Sequence, residues 1–298
     1  MAEQEQEPQQ VAQQGQQQGQ EAESCDNVCS SCASDCASRT QPQDFRAKTN
    51  AASNIRHIIA VVSGKGGVGK SLVTSLLASV LQKNGNKVGI LDADITGPSI
   101  PRAFGIEEKL RANESGIIPS VSVSGIKIVS TNLILPDDTT PVIWRGSIIS
   151  NMVRQFFSEV NWGELDYLLI DMPPGTGDVP LTVYQSLPID GVVIVTAPQT
   201  LVSMIVGKAI NMAGTMEIPV LGLVENMSYF ECPGCAERHA LFGPSSVEAL
   251  AQEYAIGLTA TLPLSPYFAS KMDAGAADAL DTAPLEAFAR ALARKIEG

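Results

Sequence analysis

Short and almost continuous apolar runs recur along the chain from about residue 55 onward. The first is His-Ile-Ile-Ala-Val-Val-Ser at 57–63. Continuous apolar character over a short stretch is typical of a strand that is covered on both faces, as in a parallel sheet. Runs of the same kind predict further strands at 87–92, 167–171, 191–196, 220–225 and 256–262.

Amphipathic stretches lie between these runs. They predict helices at 70–83, 145–159, 179–187, 202–213, 245–254 and 284–296. Alternation of strands and helices predicts an α/β fold, with a doubly wound, mostly parallel sheet and helices on both of its faces. Two short β-like pieces, 117–123 and 126–130, predict an inserted hairpin at one edge of that sheet.

The first 53 residues have a different composition. Ten of the first 20 residues are glutamine, and few side chains in this stretch are apolar. Such a segment cannot bury enough surface to offset the entropy lost on ordering. We therefore expect a disordered tail at 1–53 and a folded domain at 54–298.

Net charge and hydropathy indicate which partners and which cellular location are expected. The 298-residue chain carries a net charge of −12, which disfavours a nucleic-acid partner held through its phosphates. No apolar run approaches the roughly 18 residues that span a bilayer, and the polar N-terminus does not resemble a secretory signal. We expect a cytoplasmic protein without a membrane partner. In that reducing compartment the six cysteines favour metal ligation or redox chemistry over structural disulfides.

A glycine-rich loop follows the first predicted strand and precedes the first predicted helix. It matches G-x-x-x-x-G-K-[ST], with the residues Gly64, Lys65, Gly66, Gly67, Val68, Gly69, Lys70 and Ser71. Backbone N–H groups of such a loop surround phosphate oxygens, and the helix N-terminus adds its positive dipole end. Lys70 is expected to reach the β- and γ-phosphates and Ser71 to ligate Mg²⁺. The loop therefore predicts an ATP site.

The loop carries a lysine in addition to Lys70, namely Lys65, and this residue indicates which class of P-loop ATPase the chain resembles. The form Lys-Gly-Gly-Val-Gly-Lys-Ser resembles the deviant Walker A loop of dimeric ATPases related to nitrogenase reductase, MinD and ParA. This resemblance implies that Lys65 crosses to the nucleotide of a partner subunit and takes part in catalysis there with Lys70. It also implies a homodimer that closes through the nucleotide face.

Three aspartates follow apolar strands, where side chains at the carboxyl ends face the ligand crevice of such folds. By resemblance to the same class, Asp94 orients or activates the attacking water, and Asp92 lies close to Mg²⁺. Asp171 ends its strand as the Walker B carboxylate that holds Mg²⁺ or its water. The loop 173–178, Pro-Pro-Gly-Thr-Gly-Asp, suits a segment that changes conformation when the γ-phosphate leaves.

Asn226 follows the strand predicted at 220–225. In the resembled ATPases an asparagine at this position reads the adenine base. An ordinary turn-forming asparagine is the alternative interpretation.

Cys232-Pro-Gly-Cys235 supplies two thiolates, half of the ligands that a [4Fe–4S] cluster or a tetrahedral zinc ion requires. A two-fold homodimer would supply the other half, because it brings the same patch together twice. The alternatives are a zinc site completed by His239, a redox disulfide, and surface cysteines without such a role.

Four segments together resemble the Mrp/ApbC/Nbp-type ATPases, which assemble iron–sulfur clusters and transfer them to apoproteins. They are VSGKGGVGKS, LDADITGPSIP, LDYLLIDMPPGTGD and GLVENMSYFECPGC. The resemblance runs from about residue 55 to the end of the chain. It implies that Cys232 and Cys235 form the bridging cluster site, that ATP binding or hydrolysis controls loading and release, and that apo iron–sulfur proteins receive the cluster.

A second cysteine group lies in the N-terminal tail: Cys25, Cys29, Cys32 and Cys36. Some relatives carry another cluster on a four-cysteine N-terminal arm, with wider spacing. On a regular helix the four thiols would spread over about 16 Å, so the segment must be irregular to hold one cluster. A second cluster, a zinc ion and cysteines without a metal are the three alternatives.

Two other functions are compatible with an ATPase of this class. The first is a spatial regulator like MinD or ParA, which would need a basic amphipathic C-terminal helix or a basic surface. The last predicted helix does carry Arg290, Arg294 and Lys295. The second is an electron-transfer ATPase like nitrogenase reductase, whose bridging cysteines lie elsewhere in the sequence.

Overall fold

The computed structural model describes residues 46–95, 97–134 and 146–298, and it places the predicted strands in one central sheet. The strands are β1 (Asn54–Ser63), β2 (Val88–Asp92), β3 (Arg111–Asn113), β4 (Gly116–Ile118), β5 (Ser120–Val121), β6 (Lys127–Ser130), β7 (Glu164–Asp171), β8 (Gly191–Thr196), β9 (Val220–Glu231), β10 (Arg238–His239) and β11 (Thr259–Pro263). The order across the sheet is β10-β9-β8-β1-β7-β2-β6-β5, with β11 also paired to β9. Strands β3 and β4 form a separate hairpin.

Helices connect most of these strands within the described residues. They are α1 (Lys70–Lys83), α2 (Ile100–Ala103), α3 (Gly146–Glu159), α4 (Asp178–Ser186), α5 (Thr200–Thr215), α6 (Val247–Glu253), α7 (Pro266–Asp273) and α8 (Ala283–Glu297). The predicted α/β fold class is confirmed, because the central pairings are parallel and helices flank the sheet.

Strand β1 lies in the middle of the sheet and pairs in parallel with β7 on one side and β8 on the other. Ile59, Ala60 and Val61 in its centre have no exposed surface. The strand is therefore covered on both faces, as its continuous apolar run predicts. Its last residue, Ser63, delivers the chain to the glycine-rich loop at the carboxyl edge of the sheet.

The edge beyond β2 differs in part from the predicted hairpin. Strand β5 does pair antiparallel with β6 at the edge, but β6 also pairs in parallel with β2 and so belongs to the main sheet. The turn between β5 and β6 is held by Asp278, whose carboxylate accepts hydrogen bonds from the Ser122 hydroxyl and the Val123 backbone N–H.

The chain ahead of β1 contacts the domain as far back as Ala47, whose N–H donates to the Ser186 carbonyl over 2.6 Å. The hydroxyl of Ser53 donates to the Val160 carbonyl. The predicted disorder of residues 1–45 lies outside the described residues. The proposed boundary at residue 54 stays a prediction.

Helix α8 packs its apolar stripe against the domain. Leu285, Phe288 and Leu292 are buried, and the Lys295 ammonium donates to the Leu221 carbonyl of β9 over 3.0 Å. This apolar face is therefore used inside the fold and is not available to a membrane surface. In the described part of the chain, no helix combines the length and the apolar character needed to cross a bilayer.

Candidate nucleotide and cysteine site

The candidate nucleotide residues meet at the carboxyl ends of three adjacent strands. Asp92 at the end of β2 lies opposite Asp171 at the end of β7, and Asp171 in turn lies opposite Val61 of β1. The glycine-rich loop begins at Gly64, directly after the end of β1. The crevice outside the carboxyl ends of parallel strands is where ligands bind in folds of this kind.

Two glycines shape the loop. Gly67 and Gly69 have φ of +83° and +85°, in the left-handed region that glycine enters without strain. A Cβ at Gly69 would lie 2.1 Å from Nδ2 of Asn226, whereas a Cβ at Gly67 would meet nothing within 4 Å. Gly69 is thus required both by its backbone conformation and by the close approach of Asn226. Helix α1 begins at the next residue, Lys70, so its N-terminal N–H groups face the loop.

A buried carboxylate organises the start of α1. Oδ2 of Asp171 lies 2.7 Å from the Lys70 ammonium and accepts a hydrogen bond from the Ser71 hydroxyl over 2.6 Å. Its other oxygen, Oδ1, accepts from the Thr74 hydroxyl over 2.6 Å. Lys70, Thr74 and Asp171 are all buried. The structure therefore brings three predicted site residues, Lys70, Ser71 and Asp171, into direct contact.

The segment after β2 carries the other two aspartates. Oδ2 of Asp94 lies 3.9 Å from the Lys70 ammonium, at the rim of the same cluster. Both oxygens of Asp92 face inward: Oδ1 accepts from the Asp94 N–H, and Oδ2 accepts from the Ile100 N–H and the Ser130 hydroxyl. In this structure Asp92 holds the segment between β2 and α2 in place.

Burial raises the pKa of Asp92 from its ordinary value to about 8. The negative charges of Asp171 and Asp94 contribute in the same direction, and the nearby Lys70 opposes them. Burial and the neighbouring negative charges thus favour the protonated form of Asp92, which reduces the repulsion among the three carboxyl groups around Lys70.

Asn226 lies at the carboxyl edge of the sheet beside the loop. Its Nδ2 donates to the Val68 carbonyl over 3.0 Å, and the side chain is buried. Its Oδ1 is buried and accepts no hydrogen bond from the described residues. A buried acceptor of this kind is available to a ligand donor.

Lys65 differs from Lys70 in its exposure and in its polar contacts. It is exposed, and no described residue forms a hydrogen bond or an ion pair with it. Its ammonium group is thus accessible to a ligand or a second molecule at the nucleotide face.

The two cysteines lie in the turn between β9 and β10. The Cys232 N–H donates to the Glu237 carbonyl, and the Ala236 N–H donates back to the Cys232 carbonyl over 2.8 Å, so the turn is closed. Cys232 is partly exposed and Cys235 is exposed, and both are free thiols. Hydrogen bonds from the backbone N–H groups of Gly234 and Cys235, and from the Cys235 thiol, lower the pKa of Cys232. A lower pKa favours the thiolate, the form that binds metals.

The same turn lies on the nucleotide side of the sheet. Glu225 of β9 is level with Thr196, where β8 ends, and β9 continues for six more residues. The predicted strand at 220–225 is therefore too short, because pairing with β10 and β11 extends it to Glu231. This extension carries the cysteine turn beyond the level of Glu225, away from the end of β8.

No other ligand joins the two thiols from within the described chain, where no group of three or more His, Cys, Asp and Glu side chains could hold a metal ion. His239 instead faces Glu237, with its Nε2 3.9 Å from the carboxylate. The zinc site completed by His239 is thus not formed in the described structure. The tail cysteines Cys25, Cys29, Cys32 and Cys36 lie outside the described residues, and their metal binding stays a prediction.

Comparison with known proteins decides the family. The ParA-group family described as the NUBPL iron-transfer P-loop NTPase matches residues 54–297. The chain belongs to this family. As a P-loop NTPase it is a nucleotide-binding ATPase, and the resemblance seen in its motifs is confirmed.

A relative named iron-sulfur cluster carrier protein, from Methanocaldococcus jannaschii, is 50% identical over 224 residues, covering 74% of this chain and 77% of the relative. A nucleotide-binding protein from Archaeoglobus fulgidus, solved in complex with ADP, is 47% identical with a TM-score of 0.72 and covers 78% of this chain and 92% of its own. MinD of Aquifex aeolicus is 21% identical with a TM-score of 0.55, covering 81% of this chain and 97% of its own, which shows the fold alone.

Two residues of this NUBPL-family chain, Thr74 and Ser130, contact site residues without having been identified from the sequence, and a third, Glu225, bonds to Ser228 and directly precedes Asn226. Thr74 follows Lys70 by one helical turn, so its spacing places it on the face that meets Asp171. Ser130 has no comparable signal, because it ends a strand whose neighbour is distant in sequence. Glu225 interrupts an apolar run, and a carboxylate in a buried strand is itself unusual.

Proposed function

We propose that the chain is an ATP-dependent iron–sulfur cluster carrier that binds a [4Fe–4S] cluster and delivers it to apoproteins. The exposed cysteine turn carries this proposal, because it places two free thiols on the nucleotide side of the fold. The relatives named iron-sulfur cluster carrier proteins support it. The cluster is the cargo of the reaction, and thiols that stay reduced suit a cytoplasmic location.

The cysteine turn supplies two thiols from each chain, which supports a shared cluster. A [4Fe–4S] cluster is held by four cysteine thiolates, and the described chain supplies Cys232 and Cys235. In a two-fold homodimer the same turn meets its own copy, so the ligand set is completed by symmetry. Lys65 fits the same arrangement, since its exposed ammonium group at the nucleotide face is accessible to a second copy.

The nucleotide cycle is assigned to the cluster of charged residues at the start of α1. We propose that Lys70 and the loop N–H groups hold the phosphates and that Asp94 orients the attacking water, while Asn226 offers its buried Oδ1 to the adenine amino group. The hydroxyl of Ser71 and the carboxylate of Asp171, in contact through a 2.6 Å hydrogen bond, form a donor set that fits Mg²⁺, with Asp92 nearby. Bound Mg²⁺ neutralises phosphate charge.

The test is anaerobic reconstitution with iron and sulfide on the wild type and on the double variant Cys232→Ala/Cys235→Ala. Loss of about two irons per chain in the double variant is expected if one four-iron cluster is shared by two chains. A variant with alanine at Cys25, Cys29, Cys32 and Cys36 is the matched control and should keep those two irons. A wild type that binds only zinc, or no metal, would refute the carrier function.

Transfer is the second half of the test. A reconstituted wild type should restore activity to an apo iron–sulfur enzyme, and omission of ATP should change the rate. If the cluster forms but is transferred at the same rate with and without ATP, the carrier function is supported. The coupling of transfer to the nucleotide would then be refuted.

A further inference from the structure

Strand β9 contains a bulge at Asn226–Ser228. Glu225 lies opposite Thr261 of β11, and Tyr229 lies opposite Pro263, so three residues of β9 face a single residue of the partner strand. Met227, in the middle of the bulge, has φ of +59°, a left-handed conformation that is uncommon for a residue with a side chain. Such a conformation persists where the surroundings hold it.

The bulge joins the two halves of the site. On one side of it Asn226 donates to the carbonyl of Val68 in the glycine-rich loop. On the other side the strand runs on to Cys232, six residues after Asn226 and at most about 20 Å along the chain. A change in the bulge would therefore displace both the nucleotide contact and the cysteine turn.

The side chain that holds the bulge is Glu225. This carboxylate has no exposed surface, and Oε1 accepts a hydrogen bond from the Ser228 hydroxyl over 2.8 Å. Oε2 accepts from the Ser246 N–H over 3.1 Å, at the start of α6. The carboxylate thus ties the two ends of the bulge together and anchors them to a neighbouring helix.

A buried carboxylate is costly, and the preceding residues of β9, Leu223 and Val224, fill the core with apolar side chains instead. A fully hydrogen-bonded polar group in such a place specifies one local geometry. We propose that Glu225 is a positioning residue, which fixes Asn226 against the phosphate loop and sets the direction in which β9 presents Cys232. The nucleotide part of this inference stands on the geometry, and the cysteine part rests on the proposed carrier function.

The variant Glu225→Gln tests the nucleotide part. An amide nitrogen cannot accept a hydrogen bond, so either the Ser246 N–H loses its carboxylate partner or the Ser228 hydroxyl keeps only the Glu225 backbone carbonyl as an acceptor, at 2.9 Å. We expect the KM for ATP to rise about tenfold while kcat stays within about twofold, because the residues assigned to the chemistry lie on the glycine-rich loop, on α1, at the end of β7 and after β2. Ser228→Ala, which removes one donor and keeps the carboxylate, should raise KM about threefold.

The control is Glu248→Gln. This carboxylate is exposed on α6 and accepts from the Thr259 hydroxyl, so its loss should leave KM, kcat and melting temperature unchanged. An unchanged KM in Glu225→Gln, or a fall of kcat in proportion to a lowered melting temperature, would show that Glu225 is merely structural and overturn the inference.

The proposed effect of Glu225 on Cys232 is tested by measuring the rate of iron release. On reconstituted protein, a ferrous chelator should capture iron from the wild type at a rate that ATP changes, and Glu225→Gln should lose that ATP dependence while binding as much iron. A variant that keeps the full ATP dependence would overturn this part. If the wild type binds no iron, the carrier function fails, and the KM comparison still decides the role of Glu225 at the nucleotide.

Discussion

The hydroxyl of Thr74 donates a 2.6 Å hydrogen bond to Oδ1 of Asp171, across 97 residues of sequence. Because Ser71 and Lys70 both contact Oδ2, this bond decides which carboxylate oxygen faces the phosphate loop. The same hydroxyl oxygen lies 3.1 Å from the Lys70 carbonyl within α1, the longer of its two contacts. The helix therefore orients the carboxylate at the end of β7 as well as supplying the lysine that contacts it.

Replacing Thr74 by valine keeps the shape of the side chain and removes this hydrogen bond. A bond to a charged group contributes about 1.5–3 kcal/mol, so the free energy of unfolding should fall by that amount. Asp171 should also turn away from its working orientation, and we expect kcat to fall about ten- to a hundredfold. Denaturant unfolding and steady-state ATPase assays measure the two effects. Thr74→Ser keeps the hydroxyl and should stay near wild-type activity; equal losses in both variants would argue against the orienting role.

Alanine variants at Gly69 and Gly67 can be compared to test how closely the loop must approach Asn226. Alanine at either position has to adopt a left-handed backbone, at roughly 1–2 kcal/mol. Only at Gly69 does the new Cβ also collide with Asn226, at 2.1 Å from Nδ2. We expect Gly69→Ala to bind ADP at least about tenfold more weakly than Gly67→Ala, a difference of about 1.4 kcal/mol measurable by calorimetry. Similar affinities would mean that Asn226 moves aside without affecting the nucleotide.

The raised pKa of Asp92 makes stability depend on pH. Its value is about 8 in the folded protein against 3.8 for an ordinary aspartate, so between these values the unfolded state binds fewer protons. Stability should therefore decrease as pH rises from about 4 to about 8, with nucleotide and metal removed. Melting temperatures between pH 5 and pH 9 measure this decrease. Asp92→Asn should reduce the slope, whereas Asp273→Asn, at an exposed position, should keep it.

A variant at Lys65 is expected to affect dimerisation but not the stability of the fold. Because the side chain is exposed, Lys65→Ala should change the free energy of unfolding by no more than about 0.5 kcal/mol. If the lysine completes the site of a second copy, the variant should lose ATP-induced dimerisation in light scattering, and its ATPase activity should fall. Lys48→Ala, at an exposed position ahead of β1, is the control. Dimerisation of Lys65→Ala at the wild-type ATP concentration would contradict the proposed dimer.

The sequence predicts those features that depend on local pattern. The glycine-rich loop and α1, at 70–83, are both found, because a single continuous segment encodes the strand, the loop and the helix. Asp171 and Asp94 could be identified because each follows an apolar strand. Contacts such as those of Ser130 with Asp92 and of Asp278 with Ser122 could not be predicted, since only the folded chain brings these residues near each other.

The end of β9 shows the limit of periodicity. The polar residues Glu225, Asn226 and Ser228 break the apolar run, so the pattern predicts that the strand stops. Pairing with β10 and β11 outweighs this local signal and carries the strand to Glu231. Helix α7, at Pro266–Asp273, is likewise not predicted, because its short sequence buries only Phe268.

The position of β1 in the middle of the sheet has a consequence for the synthesis of the protein. Asn54 pairs with Glu164, and Ile59 pairs with Gly191, so both neighbours of this apolar strand are encoded more than 100 residues later. At about 5–20 residues per second, a ribosome exposes β1 for roughly 5 to 20 s before its first partner emerges. During that interval the nascent chain presents an unpaired, aggregation-prone strand. We therefore expect the yield of folded protein in cells to depend on chaperones that shield this first strand.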